Sequence, residues 1–323
     1  MAAKKTAIIL ANLGSPAAPT TPAVRRFLKD FLGDPRVVNI PRPIWWLILH
    51  CFILPFRPAK SAALYQKIWL KDKGSPLTYF TAQLTEKLAK RFAHESVLVD
   101  YAMRYGEPSL ASRLNTLKTQ GITNIIVLPL YPQYSSTTTA SVYDDLVKEL
   151  NQWRHLPSFQ FISDYHQYDG YIQAIADSIQ QVWQTQPKNE LLVMSFHGLP
   201  EVLTKWGDPY FHQCHTTARL IAEKLGLNEK QWQVVFQSRF GKAEWLKPYC
   251  SDTLAALPSQ GVKTVDLVCP GFSVDCLETL QEIEIENKEI FMHAGGTGYR
   301  YIPALNDLES HVNMLHGLLR PHL

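Results

Sequence analysis

The stretch VCPGFSVDCLETLQEIEIE, residues 268–286, joins the end of a strand-like apolar run to a helical pattern. It turns at Pro270-Gly271, and its apolar helix positions then lie three residues apart, at Leu277, Leu280 and Ile283. A second face carries glutamates four residues apart, at Glu278, Glu282 and Glu286. Like charges at this spacing cost a helix roughly 0.2–0.5 kcal/mol per pair. This row of glutamates is therefore either a solvated helix face or a set of carboxylates leading to a site at the strand's end.

Strand-like runs alternate with helix-length stretches along the whole chain. The strand-like runs are 6–13, 97–103, 124–130, 159–163, 191–196, 233–237, 264–269 and 289–293. The helix-like stretches are 22–32, 59–70, 77–92, 108–119, 140–153, 171–183, 209–225, 251–257, 275–287 and 305–318. This alternation predicts parallel sheets with helices on both faces.

A chain of 323 residues has room for two domains of ordinary size. The pattern predicts two doubly wound, Rossmann-like α/β domains, each with about four parallel strands. We expect an N-terminal domain over residues 1–167 and a C-terminal domain over 168–304. A final helix within 305–323 is expected to pack back on the N-terminal domain. Two such domains leave a cleft at the carboxyl ends of their strands, where ligands bind.

Composition excludes several classes of function. The charged fraction is 19% and the net charge is only +3, without a block of Lys and Arg, which argues against a nucleic-acid partner. The five cysteines form no CxxC pair and no signal peptide precedes them, so we expect reduced thiols in a cytoplasmic protein. The glycine spacings of nucleotide-binding loops and the GxSxG of serine hydrolases are both missing from the sequence.

His197 is the strongest single candidate for a functional residue. It follows the apolar strand LLVMSF and precedes Gly-Leu-Pro, which places an imidazole at the carboxyl edge of the predicted sheet. A hydrogen-bonded loop histidine would also fit this pattern. We favour a functional role because the same edge receives the helix that begins near Glu278.

Residues 44–56, IWWLILHCFILPF, are apolar all round and lie between prolines. Thirteen residues are too few to cross a bilayer as a helix, which needs about 20. A buried helix fits the segment. An exposed lip that touches a membrane surface or a large apolar ligand fits it as well, because Trp45 and Trp46 between flanking arginines suit a membrane interface.

The sequence closely resembles the ferrochelatases. The resemblance covers nearly the whole chain in order and is most specific at SFHGLP (195–200) and DCLETLQEI (275–283). Further matching blocks are ANLGSP (11–16), MRYGEPSL (103–110), LPLYPQYSSTTTAS (128–141), GDPY (207–210), FQSRFGKAEWLKPY (236–249) and YIPALN (301–306). The resemblance implies two flavodoxin-like, chelatase-like domains. It also implies insertion of Fe²⁺ into protoporphyrin IX with release of two protons, the last step of heme biosynthesis.

The resemblance also implies roles for particular residues. His197 would be the proton acceptor and a metal ligand, and Glu278 the catalytic glutamate and a second metal ligand. Glu282, Glu286 and Asp275 would form a path for protons or metal. The family places this acidic row on a partly π-form helix. On a regular α-helix Glu286 would drift by about 80° from Glu278, so we expect a π-turn between Leu280 and Glu286.

Other family positions surround the porphyrin. The matching residues here are Leu13, Arg57, Tyr65, Ser75, Arg104, Tyr105, Tyr134, Trp245 and Phe272. Arg57 and Ser75 would hold propionates, a role for which a guanidinium suits a carboxylate. Residues 44–56 fall on the family's active-site lip, which makes peripheral membrane contact an expectation.

Two departures from the family pattern matter. Cys276 stands where animal members have a second histidine, and the Cys-bearing C-terminal extension of cluster-containing members is missing. We therefore expect no [2Fe–2S] cluster, no tightly bound cofactor and a monomer, with Fe²⁺ as a substrate. Two alternatives stay open: a chelatase for coproporphyrin III or for sirohydrochlorin with cobalt or nickel, and a tetrapyrrole- or iron-binding protein without catalysis.

Overall fold

A computed structural model describes residues 5–241 and 243–323, so residues 1–4 of the predicted first domain lie outside the described residues. The chain forms two compact units. Unit 1 comprises the chain up to Tyr131 together with Ser135–Asp164 and Asp307–Leu323. Unit 2 comprises Pro132–Tyr134 and Tyr165–Asn306.

Unit 1 is built on a four-stranded parallel sheet in the order β2-β1-β3-β4. Its strands are β1 (Thr6–Gly14), β2 (Val97–Tyr105), β3 (Asn124–Pro129) and β4 (Ser158–Phe161). Its helices are α1 (Thr21–Gly33), α2 (Arg42–Ile48), α3 (Leu54–Ile68), α4 (Pro76–Arg91), α5 (Leu110–Thr119), α6 (Thr139–Leu150) and α12 (Glu309–Leu319). A π-helical turn, Leu49–Ile53, joins α2 to α3, and 3₁₀ turns lie at Ala93–Glu95 and Arg320–His322.

Unit 2 repeats the same strand order, β6-β5-β7-β8, again all parallel. Its strands are β5 (Leu191–His197), β6 (Trp232–Gln237), β7 (Thr264–Val268) and β8 (Gly298–Tyr301). Its α-helices are α7 (Asp169–Thr185), α8 (Val202–Lys205), α9 (Tyr210–Lys224), α10 (Cys250–Ala256) and α11 (Lys288–His293). A π-helix, Glu278–Asn287, precedes α11, and a 3₁₀ turn lies at Leu257–Gln260.

Each sheet is buried because its central strands are apolar on both faces. In unit 1, β1 and β3 are buried along almost their whole length, and Ile9 and Val127 lie in one core cluster with Leu114 and Leu146. In unit 2, Val193 and Leu267 lie in a cluster with residues of α10 and α11. Continuous apolar runs are typical of parallel strands covered by helices on both sides. The predicted fold class is confirmed in both units.

The predicted last strand over residues 289–293 is wrong. These residues form α11, which continues directly from the π-helix and buries Phe291. Gly295 then ends the helix with a φ of +97°, a conformation that glycine adopts without steric cost. The fourth strand is Gly298–Tyr301. Its four residues are all half-buried and it begins with a glycine, so the sequence shows no apolar run there.

Residues 42–68 form one continuous helical segment, although prolines at 43, 55 and 58 suggested separate pieces. The π-turn explains the continuity, because the Leu54 N–H donates to the Leu49 carbonyl, five residues back. Pro55 therefore lies in the first turn of α3, where a missing N–H costs least. By length and composition alone, this is the one helix among the described residues that could cross a membrane, and only 22% of its apolar window is buried.

The C-terminal helix α12 belongs to unit 1, where it packs on α4. Arg91 forms an ion pair with Glu309 at 2.7 Å, and Lys87 forms one with Asp307 at 2.6 Å. The His316 ring lies 4.7 Å from the Phe92 ring. Both pairs are partly exposed, so each contributes only ~0–1 kcal/mol, and the buried apolar face of α12 contributes more.

Candidate active site

His197 is the last residue of β5 and is half-buried. Its ring Nδ1 lies 2.7 Å from the Gly198 carbonyl oxygen. Because a carbonyl oxygen only accepts, this contact places the proton of the neutral ring on Nδ1 and leaves the Nε2 lone pair free. His197 therefore presents Nε2 as a base or as a metal ligand.

The chain directly after His197 is held close to β6. The Gly198 N–H donates to the Gln237 carbonyl at 2.7 Å, and a Cβ at residue 198 would lie 2.6 Å from that oxygen. The same Cβ would lie 3.3 Å from the Trp245 ring. A side chain at 198 would therefore push His197 and Trp245 out of place, which explains the glycine in the SFHGLP stretch.

The predicted π-turn is confirmed, and it extends over ten residues, Glu278–Asn287. A π-helix pairs each N–H with the carbonyl five residues back. Side chains supply further donors to its carbonyls: Gln237 to Glu278 at 2.9 Å, Asn287 to Glu282 at 2.8 Å and Tyr299 to Ile283 at 2.5 Å. These contacts stabilise a form of helix that is otherwise rare.

The π-helix also changes which residues are buried. The α-helical spacing predicted an apolar face of Leu277, Leu280 and Ile283, but only Ile283 is fully buried. Thr279 and Asn287, four residues to either side of Ile283, are buried with it. Gln281 is buried as well, so the π-helix buries three polar side chains that the α-helical spacing did not predict.

Two segments that carry predicted functional residues meet at the centre of the unit 2 sheet. His197 ends β5, and the turn leading to Glu278 follows β7. β5 and β7 are neighbours, and the strand order reverses between them. In open α/β sheets this reversal opens a crevice beyond the carboxyl ends of the strands, which is the usual ligand site.

Glu282 is half-buried and is bound by the end of β6. One carboxylate oxygen accepts from the Ser238 N–H at 2.7 Å, and the other accepts from the Ser238 hydroxyl and, at 3.2 Å, from the Gln237 amide. Burial is the largest influence and raises the pKa of Glu282, although Ser238, the charge of His197 and Gln237 act in the opposite direction.

Glu286 and Asp275 occupy contrasting environments. Glu286 is exposed and accepts from the Gln281 amide at 3.3 Å. Asp275 is buried, and its carboxylate accepts from Tyr301 and Asn306 at 2.6 Å each and from Thr279 at 2.9 Å. Asp275 thus ties the start of the π-helix to β8 and to the loop that follows it.

Phe272 and Cys276 flank the turn between β7 and the π-helix. Phe272 is half-buried against the unit 2 core, and its N–H donates to the Cys269 carbonyl at 3.0 Å. Cys276 is buried, and burial followed by the charge of Glu278 raises the pKa of its thiol. A thiol with a raised pKa stays protonated at neutral pH and is a poor metal ligand.

In unit 1, Arg104 and Tyr105 belong to a buried network around Asp34. One Asp34 oxygen accepts from Arg104 at 2.7 Å, from the Tyr105 hydroxyl at 2.7 Å and from the Ser141 hydroxyl at 2.6 Å. Burial alone would raise the pKa of Asp34, but the hydrogen bonds from Ser141, Tyr105 and the Arg36 N–H, with the charge of Arg104, outweigh it and lower the pKa. Asp34 was not among the candidate residues of the sequence analysis, and Ser141 appeared there only as the last residue of the 128–141 block.

We expect Asp34→Asn to destabilise unit 1. The amide keeps one acceptor but turns a donor toward groups that are themselves donors, so the expected loss is ~2–4 kcal/mol in the free energy of unfolding. Denaturant unfolding measures it. Asp144→Asn is the matched control, because the Arg36–Asp144 pair is about half exposed and is expected to contribute ~0–1 kcal/mol. Equal losses in the two variants would mean that the Asp34 network does not stabilise the fold.

The remaining predicted porphyrin residues lie in several places. Leu13 and Arg57 are half-buried in unit 1, whereas Tyr65 and Ser75 are buried there. Tyr134 belongs to unit 2, where its backbone N–H donates to the Gln213 side-chain oxygen at 2.6 Å. Trp245 is half-buried in unit 2, and its ring N–H has no partner among the described residues.

Across residues 5–241 and 243–323, no group of three or more His, Cys, Asp and Glu side chains is arranged to hold a metal ion. Four of the five cysteines are buried in unit 2, and Cys51 is exposed in unit 1. The candidate metal ligands around His197 are therefore not gathered into a preformed metal site.

Two ferrochelatases match almost the whole chain. The chain is 52% identical over 321 residues to ferrochelatase 2 of Shewanella oneidensis, and the match covers 99% of this chain and 98% of that protein. It is also 52% identical over 323 residues to the ferrochelatase of Methylococcus capsulatus, with coverage of 99% and 98%.

Solved structures support the fold. SirB from Bacillus subtilis with Fe³⁺ matches with a TM-score of 0.57 at 14% identity, covering 98% of this chain and 94% of that one. CbiX, described as the terminal enzyme of siroheme biosynthesis in denitrifying bacteria, matches with a TM-score of 0.50 at 13% identity, with coverage of 98% and 99%. The family model described as Ferrochelatase matches residues 5–323. With that match and the 52% identical relatives, the chain belongs to the ferrochelatase family.

Proposed function

We propose that this protein is a ferro-lyase that inserts Fe²⁺ into protoporphyrin IX, releases two protons and forms protoheme, the last step of heme biosynthesis. The observation that carries the proposal is the match to ferrochelatases over almost the full length of both chains. The position of His197 and the π-helix at the centre of the unit 2 sheet supports it.

The reaction makes three demands on a protein. The flat macrocycle has to bend so that a metal can reach its nitrogens, two pyrrole protons have to leave, and Fe²⁺ has to shed water. In the proposed mechanism the Nε2 lone pair of His197 takes a pyrrole proton or holds the arriving iron, since a neutral imidazole suits both tasks. Glu278 supplies a carboxylate, a suitable ligand for Fe²⁺ and a suitable proton acceptor.

Glu282 and Glu286 would carry protons or iron between Glu278 and solvent. Their exposure supports a path that ends at Glu286, because Glu278 and Glu282 are half-buried and Glu286, on the same helix, is exposed. The raised pKa of Glu282 suits a group that gains and loses a proton. The family resemblance grouped Asp275 with this path. Its carboxylate accepts from four donors, Thr279, Tyr301, Ala304 and Asn306, which favours a role in holding the start of the π-helix.

Iron is a substrate in this proposal, and no resident cofactor or [2Fe–2S] cluster is included. A metal that has to be handed to the porphyrin is better held by few protein ligands than by a closed cage. Among the porphyrin residues, Leu13, Arg57, Arg104, Tyr134, Trp245 and Phe272 are half-buried, and Tyr65, Ser75 and Tyr105 are buried. All nine remain proposed neighbours of the macrocycle.

Anaerobic metallation of protoporphyrin IX and coproporphyrin III in parallel tests the proposal. We expect Fe²⁺ to enter protoporphyrin IX with the higher kcat/KM. Metal uptake by coproporphyrin III alone would change the substrate. Porphyrin binding without metallation of either would mean a tetrapyrrole-binding protein that is not an enzyme.

We also propose a cytoplasmic monomer whose 44–56 segment makes peripheral contact with anionic membranes. Its outward side is apolar: Trp46 is 60% exposed and Phe56 69%, while Trp45 is buried and donates to the Leu32 carbonyl at 2.6 Å. The surrounding residues 21–73 hold ten Lys or Arg against three Asp and no Glu, although the whole chain has a net charge of only +3. An apolar face within a basic region suits an anionic lipid surface.

Liposome flotation tests this contact. We expect Trp46→Ala/Phe56→Ala to reduce binding to anionic vesicles about tenfold, because two exposed aromatic anchors are lost. Trp206→Ala is the matched control, since Trp206 is 61% exposed in unit 2. Unchanged flotation of the double variant, or an equal loss in the control, contradicts a lip that binds lipid.

A further inference from the structure

Gln237 ends β6 and is only 2% exposed. In the parallel register it lies beside His197, and its carbonyl accepts the Gly198 N–H at 2.7 Å. Its backbone is therefore fixed to the strand end that carries the proposed base. The sequence marked this stretch only as part of a family block, without a role for the side chain.

The buried amide of Gln237 contacts both segments of the proposed site. Its oxygen accepts from the Ser195 hydroxyl at 2.8 Å, two residues before His197 on β5. Its nitrogen donates to the Glu278 carbonyl at 2.9 Å and to the Glu282 carboxylate at 3.2 Å. Since a carbonyl oxygen only accepts, the nitrogen has to face the π-helix, and the amide has one orientation.

Ser238, the next residue, strengthens this connection at a conformational cost. Its φ is +64°, a left-handed conformation that is uncommon for residues other than glycine. This conformation turns its N–H toward Glu282 at 2.7 Å, and its hydroxyl donates to the other oxygen of the same carboxylate. Such conformations concentrate at functional sites, where other contacts hold them in place.

We propose that Gln237 is a positioning residue for iron insertion: its amide fixes the first turn of the π-helix, and hence Glu278 and Glu282, relative to the strand end that carries His197. The inference rests on the proposed function and adds a determinant to the same site. Small displacements of reacting groups lower the rate far more than they lower binding. The loss of Gln237 therefore reduces kcat and leaves porphyrin binding almost unchanged.

Gln237→Met keeps the length of the side chain and removes the hydrogen bonds that its amide makes with Ser195, Glu278 and Glu282. We expect kcat for iron insertion to fall 10- to 100-fold, with the Kd for protoporphyrin IX changed by less than threefold. Amide hydrogen exchange in residues 278–287 of the porphyrin-free protein is expected to become at least tenfold faster. Asn189→Ala is the matched control, because that side chain binds Val265 and Asp266 at the other end of β7. It is expected to lower the melting temperature without changing kcat.

Gln237→Glu is the second variant, because it keeps the acceptor for Ser195 and loses both donations to the π-helix. The same separation of kcat from Kd is expected. Unchanged kcat and exchange in a folded variant overturn the proposal, and so does failure of both variants to fold, since Gln237 would then serve the fold alone. If the wild type does not insert iron, the proposed function is wrong, and the exchange measurement still decides whether Gln237 positions the π-helix.

Discussion

His197→Ala is expected to reduce kcat for iron insertion by about 10³-fold or more, with the fold and porphyrin binding retained. The variant removes the Nε2 lone pair that the contact with the Gly198 carbonyl leaves free. Loss of a positioned base typically costs about 10²–10⁴-fold, and loss of a metal ligand adds to it. Anaerobic initial rates with Fe²⁺ and protoporphyrin IX, together with the melting temperature, measure both effects.

His212→Ala is the control for this variant. His212 is an exposed histidine on α9 of the same unit, so its loss is expected to leave kcat within twofold of the wild type. A wild-type kcat in His197→Ala would remove His197 from the mechanism, whatever the behaviour of the control.

Glu278→Gln is expected to reduce kcat about 10²- to 10³-fold while the Kd for protoporphyrin IX stays within about threefold. The amide keeps the size of the side chain and removes the charge needed to hold iron or accept a proton. The backbone of residue 278 stays bound to Gln237, so the π-helix is expected to remain intact. Rates and fluorescence titration of the porphyrin separate the two quantities.

Glu284→Gln provides the comparison on the same helix. Glu284 is exposed and lies outside the proposed path, so its variant is expected to keep kcat within twofold. A Glu278→Gln protein that loses porphyrin binding but keeps kcat would give Glu278 a structural role only.

Much of the fold could be predicted because buried parallel strands have an unambiguous sequence pattern. The runs at β1, β3 and β5 are apolar almost throughout, β7 is apolar except at Thr264 and Asp266, and each strand contributes residues to a core cluster. β8 was not predicted because its four half-buried residues, GYRY, form no apolar run. The neighbouring FMH run resembled a strand but is a helix that buries Phe291.

The π-helix shows where periodicity alone is insufficient. An α-helical repeat predicted that Leu277 and Leu280 would be buried, whereas the structure buries Thr279 and Asn287. The wider turn depends on donors far away in sequence, Gln237 and Tyr299, which bind carbonyls of the helix. No local pattern contains those contacts, and the family resemblance rather than the spacing pointed to the π form.

The site could be predicted only in part for the same reason. A histidine at a strand end and a stripe of glutamates are visible along the chain, because each is a local pattern. Their partners in the fold are not visible in this way. Gln237 and Ser238 bind Glu282 from the end of β6, more than 40 residues away. In unit 1, Asp34 likewise binds Arg104 from 70 residues away. Such partners become visible only when the strands are placed side by side.

A double-variant cycle on single-turnover iron insertion tests the central claim most directly, namely that His197 and Glu278 serve one insertion step. Rates of heme formation are measured under anaerobic conditions for the wild type, His197→Ala, Glu278→Gln and the protein with both changes. Groups that act as a unit give strongly non-additive losses, so we predict that the double variant is slowed no more than about threefold beyond the slower single variant. Losses that multiply would contradict the account, because His197 and Glu278 would then act in independent steps.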